Sequence, residues 1–195
     1  MNIICATGNL HKKEEFQQLF PEHEISIPKD LHIAFDVEET GSSFIENAII
    51  KATYFYNKTG KPVIADDSGL CVDALNGAPG IYSARYGNDI LAPNASFKDR
   101  YTLLLEAMRE TVDRRARFVC SLVYYYGTDR YFSIQETVEG VISDAPMGQN
   151  GFGYDPVFFI PSIGKTMAQL SETQKNEISH RGKAVRGLRK ILETL

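Results

Sequence analysis

The chain has 195 residues, a formal net charge of −4 and 43% hydrophobic residues, enough length to bury most of its apolar surface in one domain, or in two lobes sharing a core. The mild acidity argues against a protein that coats nucleic acid, because binding a phosphate backbone needs a basic face. No apolar run approaches the roughly 20 residues of a membrane helix, and the opening MNIICATGN turns polar too early for a secretory signal; a cytoplasmic protein without a membrane partner is expected.

In chain order, NIICA is a short buried strand followed by the turn TGN, and a helix runs from about Leu10 to Phe20 with Leu10, Phe16, Leu19 and Phe20 on one face. A short strand is predicted around Ile25–Ile27. SFIENAIIKATYFYNKTG is a second helix, with an apolar stripe of Phe44, Ile45, Ala48, Ile49, Ala52, Phe55 and Tyr56, and Gly60 ends it. The next strand, KPVIADD, is expected to stop at its two aspartates in a tight turn. Ser96–Met108 reads as helix. RARFVCSLVYYY and RYFSIQETVEGVI are two long strands joined by GTD, a hairpin signal. The first is apolar on both faces, so either helices or another subunit must cover it. PVFFI is a further strand, and His180–Leu195 a terminal helix. Helices alternating with strands give an α/β fold around a mixed sheet, in a single domain spanning 1–195 whose two lobes flank a cleft. The three cysteines, Cys5, Cys71 and Cys120, lie far apart in apolar segments without a CxxC pair, which favours reduced core thiols over a nucleophile or metal ligand.

Five stretches carry candidate chemistry. In ATGNLHKK, Gly8 and Asn9 turn a strand into a helix, and the backbone N–H groups of such a helix start bind anions. Lys12 and Lys13 sit at the end of the helix dipole that disfavours cations, which a bound phosphate would correct; the bland alternative is solvated charge beside an ordinary turn. QKNEISHRGKAV repeats the pattern, with His180, Arg181 and Lys183 at a helix start, Lys175 upstream and Ser179 as N-cap. In ETGSSFIENA, Glu46 is explained by a capping box with Ser43, whereas Glu38 and Glu39 have no local explanation beyond surface acidity. GFGYDP places Phe152 between glycines, where its ring can lie against a planar ligand or simply enter the core. In IADDSGL, successive strand residues point to opposite faces, so one of Asp66 and Asp67 can be held by the protein while the other meets a ligand. Carboxylate oxygens suit Mg²⁺, which commonly bridges a protein acid and a substrate phosphate. Lysines and helix starts for phosphates, acids for Mg²⁺ and an aromatic for a base compose a nucleotide site.

The same stretches, ATGNLHKKEEF, EETGSSFIENAIIKA, IADDSGLCVDALNGAPGIYSARY, GFGYDPVFF and ISHRGKAV, run from residue 6 to 185, and there the chain resembles the Ham1-like inosine/xanthosine triphosphate pyrophosphatases. The resemblance implies a long twisted mixed β-sheet with flanking helices, two lobes around a central cleft, and a homodimer. It implies hydrolysis of aberrant purine nucleoside triphosphates (ITP, dITP, XTP) to monophosphate and pyrophosphate with Mg²⁺. By position, Thr7, Gly8, Asn9, Leu10, His11 and Lys12 form the phosphate loop. Asp67 is the proton acceptor and a metal ligand, and Glu38 is the second ligand, with Glu39 the alternative. Ser68 touches the substrate, and Lys51 reaches the phosphates. Phe152, Gly153, Tyr154 and Asp155 line the base pocket, and Lys175, His180 and Arg181 face the base edge. Attack at the α-phosphorus expels pyrophosphate, with the developing charge neutralised by metal and lysines. Two competitors remain: a Maf-type pyrophosphatase acting on modified pyrimidines, and a non-catalytic nucleotide sensor, which would gain nothing from acids placed beside a triphosphate.

Overall fold

The computed structural model describes residues 2–193. Seven strands form one mixed sheet in the order β2-β1-β3-β4-β5-β6-β7. They are β1 (Asn2–Cys5), β2 (Glu24–Ser26), β3 (Val63–Val72), β4 (Arg115–Gly127), β5 (Arg130–Ile142), β6 (Phe158–Ile160) and β7 (Lys165–Thr166), accompanied by helices α1 (Leu10–Leu19), α2 (Phe44–Thr59), α3 (Phe97–Ala107), α4 (Glu172–Ile178) and α5 (His180–Leu192). β1 pairs in parallel with β2 and β3, while β6 is antiparallel to β5 and β7. The chain divides into two compact units: residues 1–68, 120–136 and 180–195, and residues 69–119 and 137–179. The terminal helix predicted over His180–Leu195 is present as α5; residues 194 and 195 lie outside the described residues.

In the first unit the pleat sorts side chains onto two cores. Cys120, Leu122 and Tyr124 of β4 join Phe16 and Phe20 from the α1 side and Ala184, Val185 and Leu188 of α5. Val123 and Tyr125, on the opposite face, join Ala48, Ala52 and Phe55 of α2. The two-faced apolar strand is therefore covered by the protein's own helices, and fully burying each large apolar side chain contributes about 1.5–3 kcal/mol. α2 begins and ends as its sequence dictates: Ser43 Oγ accepts from the Glu46 N–H, and Gly60 takes the left-handed conformation (φ 64°) that closes the last turn. The capping box is shifted by one residue, because the Glu46 carboxylate accepts from the backbone and hydroxyl of Ser42.

In the second unit, Leu70 and Val72 of β3, Leu104 of α3, Phe118 of β4, Val138 and Ile142 of β5, and Tyr154, Val157, Phe158 and Met167 share one core. The expectation that the strand stops at the two aspartates is overturned. β3 runs on through Asp66, Asp67, Ser68 and Gly69 to Val72. Asp66 and Asp67 are buried, and the side chains that neutralise them come from distant parts of the chain. α4 and β7 are elements the periodicity does not announce.

Candidate active site

The β1–α1 turn is built by side chains bonding to backbone. Thr7 Oγ1 accepts from the Asn9 N–H at 3.1 Å, and Asn9 Oδ1 accepts from the N–H groups of His11 (2.9 Å) and Lys12 (3.4 Å), so Asn9 is the N-cap of α1. Leu10 and His11 are exposed. Lys12 Nζ lies 3.0 Å from Asp66 Oδ1 but off the line a hydrogen bond needs, leaving that buried oxygen with a charge beside it and no hydrogen-bond partner. Lys13 pairs with Asp30 at 2.7 Å. Both lysines at the unfavourable end of the helix dipole thus have acidic partners within the protein.

Asp66 faces the α5 side of β3. Arg181 donates to its Oδ2 from Nη2 (2.8 Å) and Nε (3.2 Å), and from Nη2 to Ser68 Oγ (2.9 Å); Nη1 donates to Glu15. Arg181 is 2% exposed and Asp66 1%. Burial alone would raise the Asp66 pKa. The charges of Arg181, Lys12 and Lys51, with the Arg181 hydrogen bonds, outweigh burial and hold the carboxyl well below the usual range. The resemblance implies that Arg181 faces the base edge; its guanidinium also bonds Asp66, Glu15 and Ser68. His180 is buried at the start of α5.

Asp67 faces α2. Lys51 Nζ donates to Asp67 Oδ1 at 2.8 Å and to Glu39 Oε1 at 2.6 Å, and Asn47 Nδ2 lies 3.5 Å from Asp67 Oδ2. Here burial wins: it raises the Asp67 pKa, with help from the Glu39 charge, against the pull of Lys51 and Lys12. For Lys51, burial is likewise the largest influence and would lower its pKa, but Asp67, Glu39 and Asp66 together raise it. The two adjacent carboxylates are thereby driven apart, Asp66 held low by its cations and Asp67 raised by burial. That is how neighbouring acids acquire different roles.

Between the two candidate partners of Asp67, the structure joins Glu39 to it through Lys51, whereas Glu38 is exposed. Among the described residues no group of three or more His, Cys, Asp or Glu side chains is set to hold a metal ion. Mg²⁺ ordinarily takes one or two protein carboxylates and completes its shell with substrate phosphates and water, so the donor set fits in kind. Asn47 and Glu15 were not singled out by the sequence. The signal for Asn47 was a polar residue one turn before Lys51 on the apolar stripe of α2.

A second cluster lies within the second unit. Lys175 Nζ donates to Asp155 Oδ2 at 2.7 Å and sits 4.6 Å from the centroid of the Phe152 ring; the Phe152 N–H donates to the same oxygen at 2.9 Å. Lys175 and Asp155 are buried. Gly151 (φ 74°) leaves no room for a Cβ, which would collide with Asp155 Oδ2. Gly153 also has positive φ, 68°. Tyr154 is 2% exposed and packs edge-on to Phe97. Its hydroxyl donates to Ser83 O (2.9 Å), and Ser83 Oγ in turn donates to Gly80 O and accepts from the Leu70 N–H. Tyr154 thus anchors the GFGYDP loop.

With this geometry in view, the Ham1 family profile matches residues 3–191. The chain belongs to the Ham1 family. A Treponema denticola protein named dITP/XTP pyrophosphatase is 51% identical over 193 residues, covering 99% of each chain, and one of the same name from Staphylococcus aureus is 47% identical over 192 residues, covering 98% of this chain and 96% of that one. Among solved structures, the Staphylococcus aureus Ham1 protein superposes with a TM-score of 0.88 at 45% identity, over 100% of this chain and 99% of that one. A Coxiella burnetii HAM1 protein reaches 0.90 at 39% identity over 100% of both. The shared α/β fold is thus a Ham1 fold. No helix among the described residues is long and apolar enough to cross a membrane.

Proposed function

We propose that this chain hydrolyses aberrant purine nucleoside triphosphates (ITP, dITP and XTP) to the monophosphate and pyrophosphate; its relatives carry the name dITP/XTP pyrophosphatase. The observation that carries the reading is the division between the adjacent carboxylates. Asp66 is committed to Arg181 and Lys12, while Asp67 is held through Lys51 and Asn47 and has its pKa raised by burial. A carboxylate of that kind is suited to orient a water and accept its proton. Lys12 and Lys51 are compact cations on flexible stems, able to re-aim from carboxylates to phosphate oxygens, whereas the planar Arg181 fork stays on its acids. Mg²⁺ would be held by Asp67 and Glu39 and supplies charge neutralisation at the phosphates.

Base choice is assigned to Phe152 and Lys175. Hypoxanthine and xanthine offer a 6-oxo acceptor, adenine a 6-amino donor. An ammonium has only donors, so it matches the 6-oxo acceptor and meets the 6-amino group of adenine donor to donor. Sites built on such a group can reject the wrong partner by about 10⁴-fold.

The test is pyrophosphate release from ITP, dITP, XTP, GTP and ATP, with Mg²⁺ and with divalent cations chelated. ITP and XTP are expected to be strongly preferred over ATP, with turnover lost on chelation. Similar kcat/KM for ITP and ATP would refute the base assignment, and full turnover in chelator would refute the metal. A homodimer is part of the same proposal; sedimentation showing only monomer at micromolar concentration would refute it. Cys120 and Leu122–Tyr125 of β4 pack in the cores formed with α1, α2 and α5, so the proposed interface would use a surface near that strand.

A further inference from the structure

Asn47 is fully buried on α2, one helical turn before Lys51, where an apolar residue would extend the stripe of Ala48, Ala52 and Phe55. Burying an amide is unfavourable unless both of its ends are satisfied. Oδ1 accepts from the Gly41 N–H at 2.8 Å. Because that donor requires an oxygen, the flip of the amide is fixed, and Nδ2 must point to Asp67 Oδ2, 3.5 Å away. Lys51 occupies the other oxygen, Oδ1, at 2.8 Å. The two oxygens of Asp67 are thus each addressed by α2, from positions i and i+4 that share one helix face, one by a cation and one by a neutral donor. Gly41 belongs to the segment that carries Glu39. A Cβ on Gly41 would come within 2.7 Å of Asn47 Oδ1 and of Glu46 Cβ, so this segment is seated tightly against the helix.

We propose that Asn47 is a positioning residue for the hydrolytic reaction: its amide fixes the rotation of the Asp67 carboxylate and, through Gly41, the segment bearing Glu39. This inference rests on the function proposed above. The 3.5 Å separation is long for a hydrogen bond, as catalytic hydrogen bonds often are without substrate. A bound substrate that draws Lys51 toward its phosphates would leave Asn47 as the remaining restraint on Asp67. Misplacing a catalytic group by about 1 Å can cost on the order of 10²-fold in rate.

Two variants separate orientation from mere seating of the loop. Asn47→Ala removes both contacts; Asn47→Asp keeps an acceptor for the Gly41 N–H but sets an oxygen against Asp67 Oδ2. Pyrophosphate release from ITP gives kcat and KM, binding of a non-hydrolysable ITP analogue gives Kd, and thermal melting reports folding. The expected result for Asn47→Ala is kcat lowered by about 10-fold or more, up to the order of 10²-fold, with Kd within about threefold. Asn47→Asp is expected not to restore kcat. Asn47→Asp restoring parental kcat would overturn the proposal in favour of loop seating. So would Asn47→Ala with parental kcat, or a kcat loss in that variant matched by an equal loss of analogue binding and a collapse of the melting transition. A parent chain inactive on ITP, dITP and XTP would refute the proposed function and this inference with it, whereas an active parent with an unaffected Asn47→Ala would refute the inference alone.

Discussion

Replacing Arg181 with methionine, which keeps most of the side chain's length and removes its charge, tests how the acidic pair is held. The guanidinium is 2% exposed. It makes two hydrogen bonds to Asp66 and one each to Ser68 and Glu15, and lies 5.8 Å from the centroid of the Phe16 ring. Removing one partner of a buried ion pair costs about 3–5 kcal/mol, because the other charge is left in a poorly solvating interior. Lys12, 3.0 Å from Asp66 Oδ1, remains to compensate in part, so the lower end applies, about 3 kcal/mol. In a chain of this size each kcal/mol moves Tm by about 2–4 °C, so Arg181→Met should melt about 6–12 °C below the parent in a circular-dichroism scan at pH 7. Neutralising both partners of a buried pair is often tolerated better than neutralising one. The double variant Asp66→Asn/Arg181→Met should therefore recover a large part of the Arg181→Met loss, a non-additive signature of contact. If Arg181→Met melted within about 2 °C of the parent, a shift of no more than about 1 kcal/mol, and instead narrowed the preference for ITP over ATP, the guanidinium would be reading a base edge and the stabilising role assigned to its Asp66 contact would fail.

Asp67→Asn retains shape but can neither accept a proton nor carry charge, and should lower kcat by about 10²–10⁴-fold while analogue binding persists; near-parental turnover would remove Asp67 from its role. Gly151→Ala forces a Cβ into Asp155 Oδ2 at a φ of 74°, and should raise KM for ITP far more than it lowers kcat, because it disturbs the residue that fixes Lys175 and the Phe152 backbone; an unchanged KM would separate that cluster from substrate. The cysteines should be inert to alkylation at pH 8 until the protein is unfolded: burial, with the Asp66 charge, pushes Cys120 up to about 12 and drives Cys5 higher still, and burial also raises Cys71. Rapid labelling of native protein would contradict their placement in the core.

The periodic segments were legible because local pattern and tertiary burial agree. Ala48, Ala52 and Phe55 fall on the buried face of α2 as their spacing requires, and Ser43 and Gly60 mark its ends. Local composition ends β3 too early, because Asp66-Asp67-Ser68-Gly69 has the composition of a turn. What keeps those residues in a strand are Lys12, Lys51 and Arg181, brought from separations no local window spans. The same non-locality limited the site. A cation at a helix start signals an anion, but Lys12, Lys13 and Arg181 find theirs on Asp66, Asp30 and Glu15 within the protein, so the pattern alone did not distinguish a ligand from an internal partner. Asn47 and Lys51 were within reach, since two polar residues one turn apart on an otherwise apolar face are unexplained unless something polar lies opposite. Glu38 and Glu39 were not separable, because a segment without regular structure gives no alternation to say which one turns inward.

The placement of two carboxylates side by side in a buried strand follows from the chemistry proposed for them. A reactive carboxylate must remain able to gain and lose a proton, so it cannot be locked by a guanidinium, whose charge never leaves. A site that gathers lysines for phosphates needs permanent negative charge to hold those lysines before the substrate arrives, and that charge must not be the reactive one. Strand alternation provides both within two residues. Asp66 is turned toward Arg181 and Lys12 and kept ionised, and Asp67 is turned toward an exchangeable lysine and a neutral amide with its pKa raised. The cost is the desolvation of both acids, offset for Asp66 by an arginine that is itself buried and left only partly offset for Asp67, the group on which the proposed reaction depends.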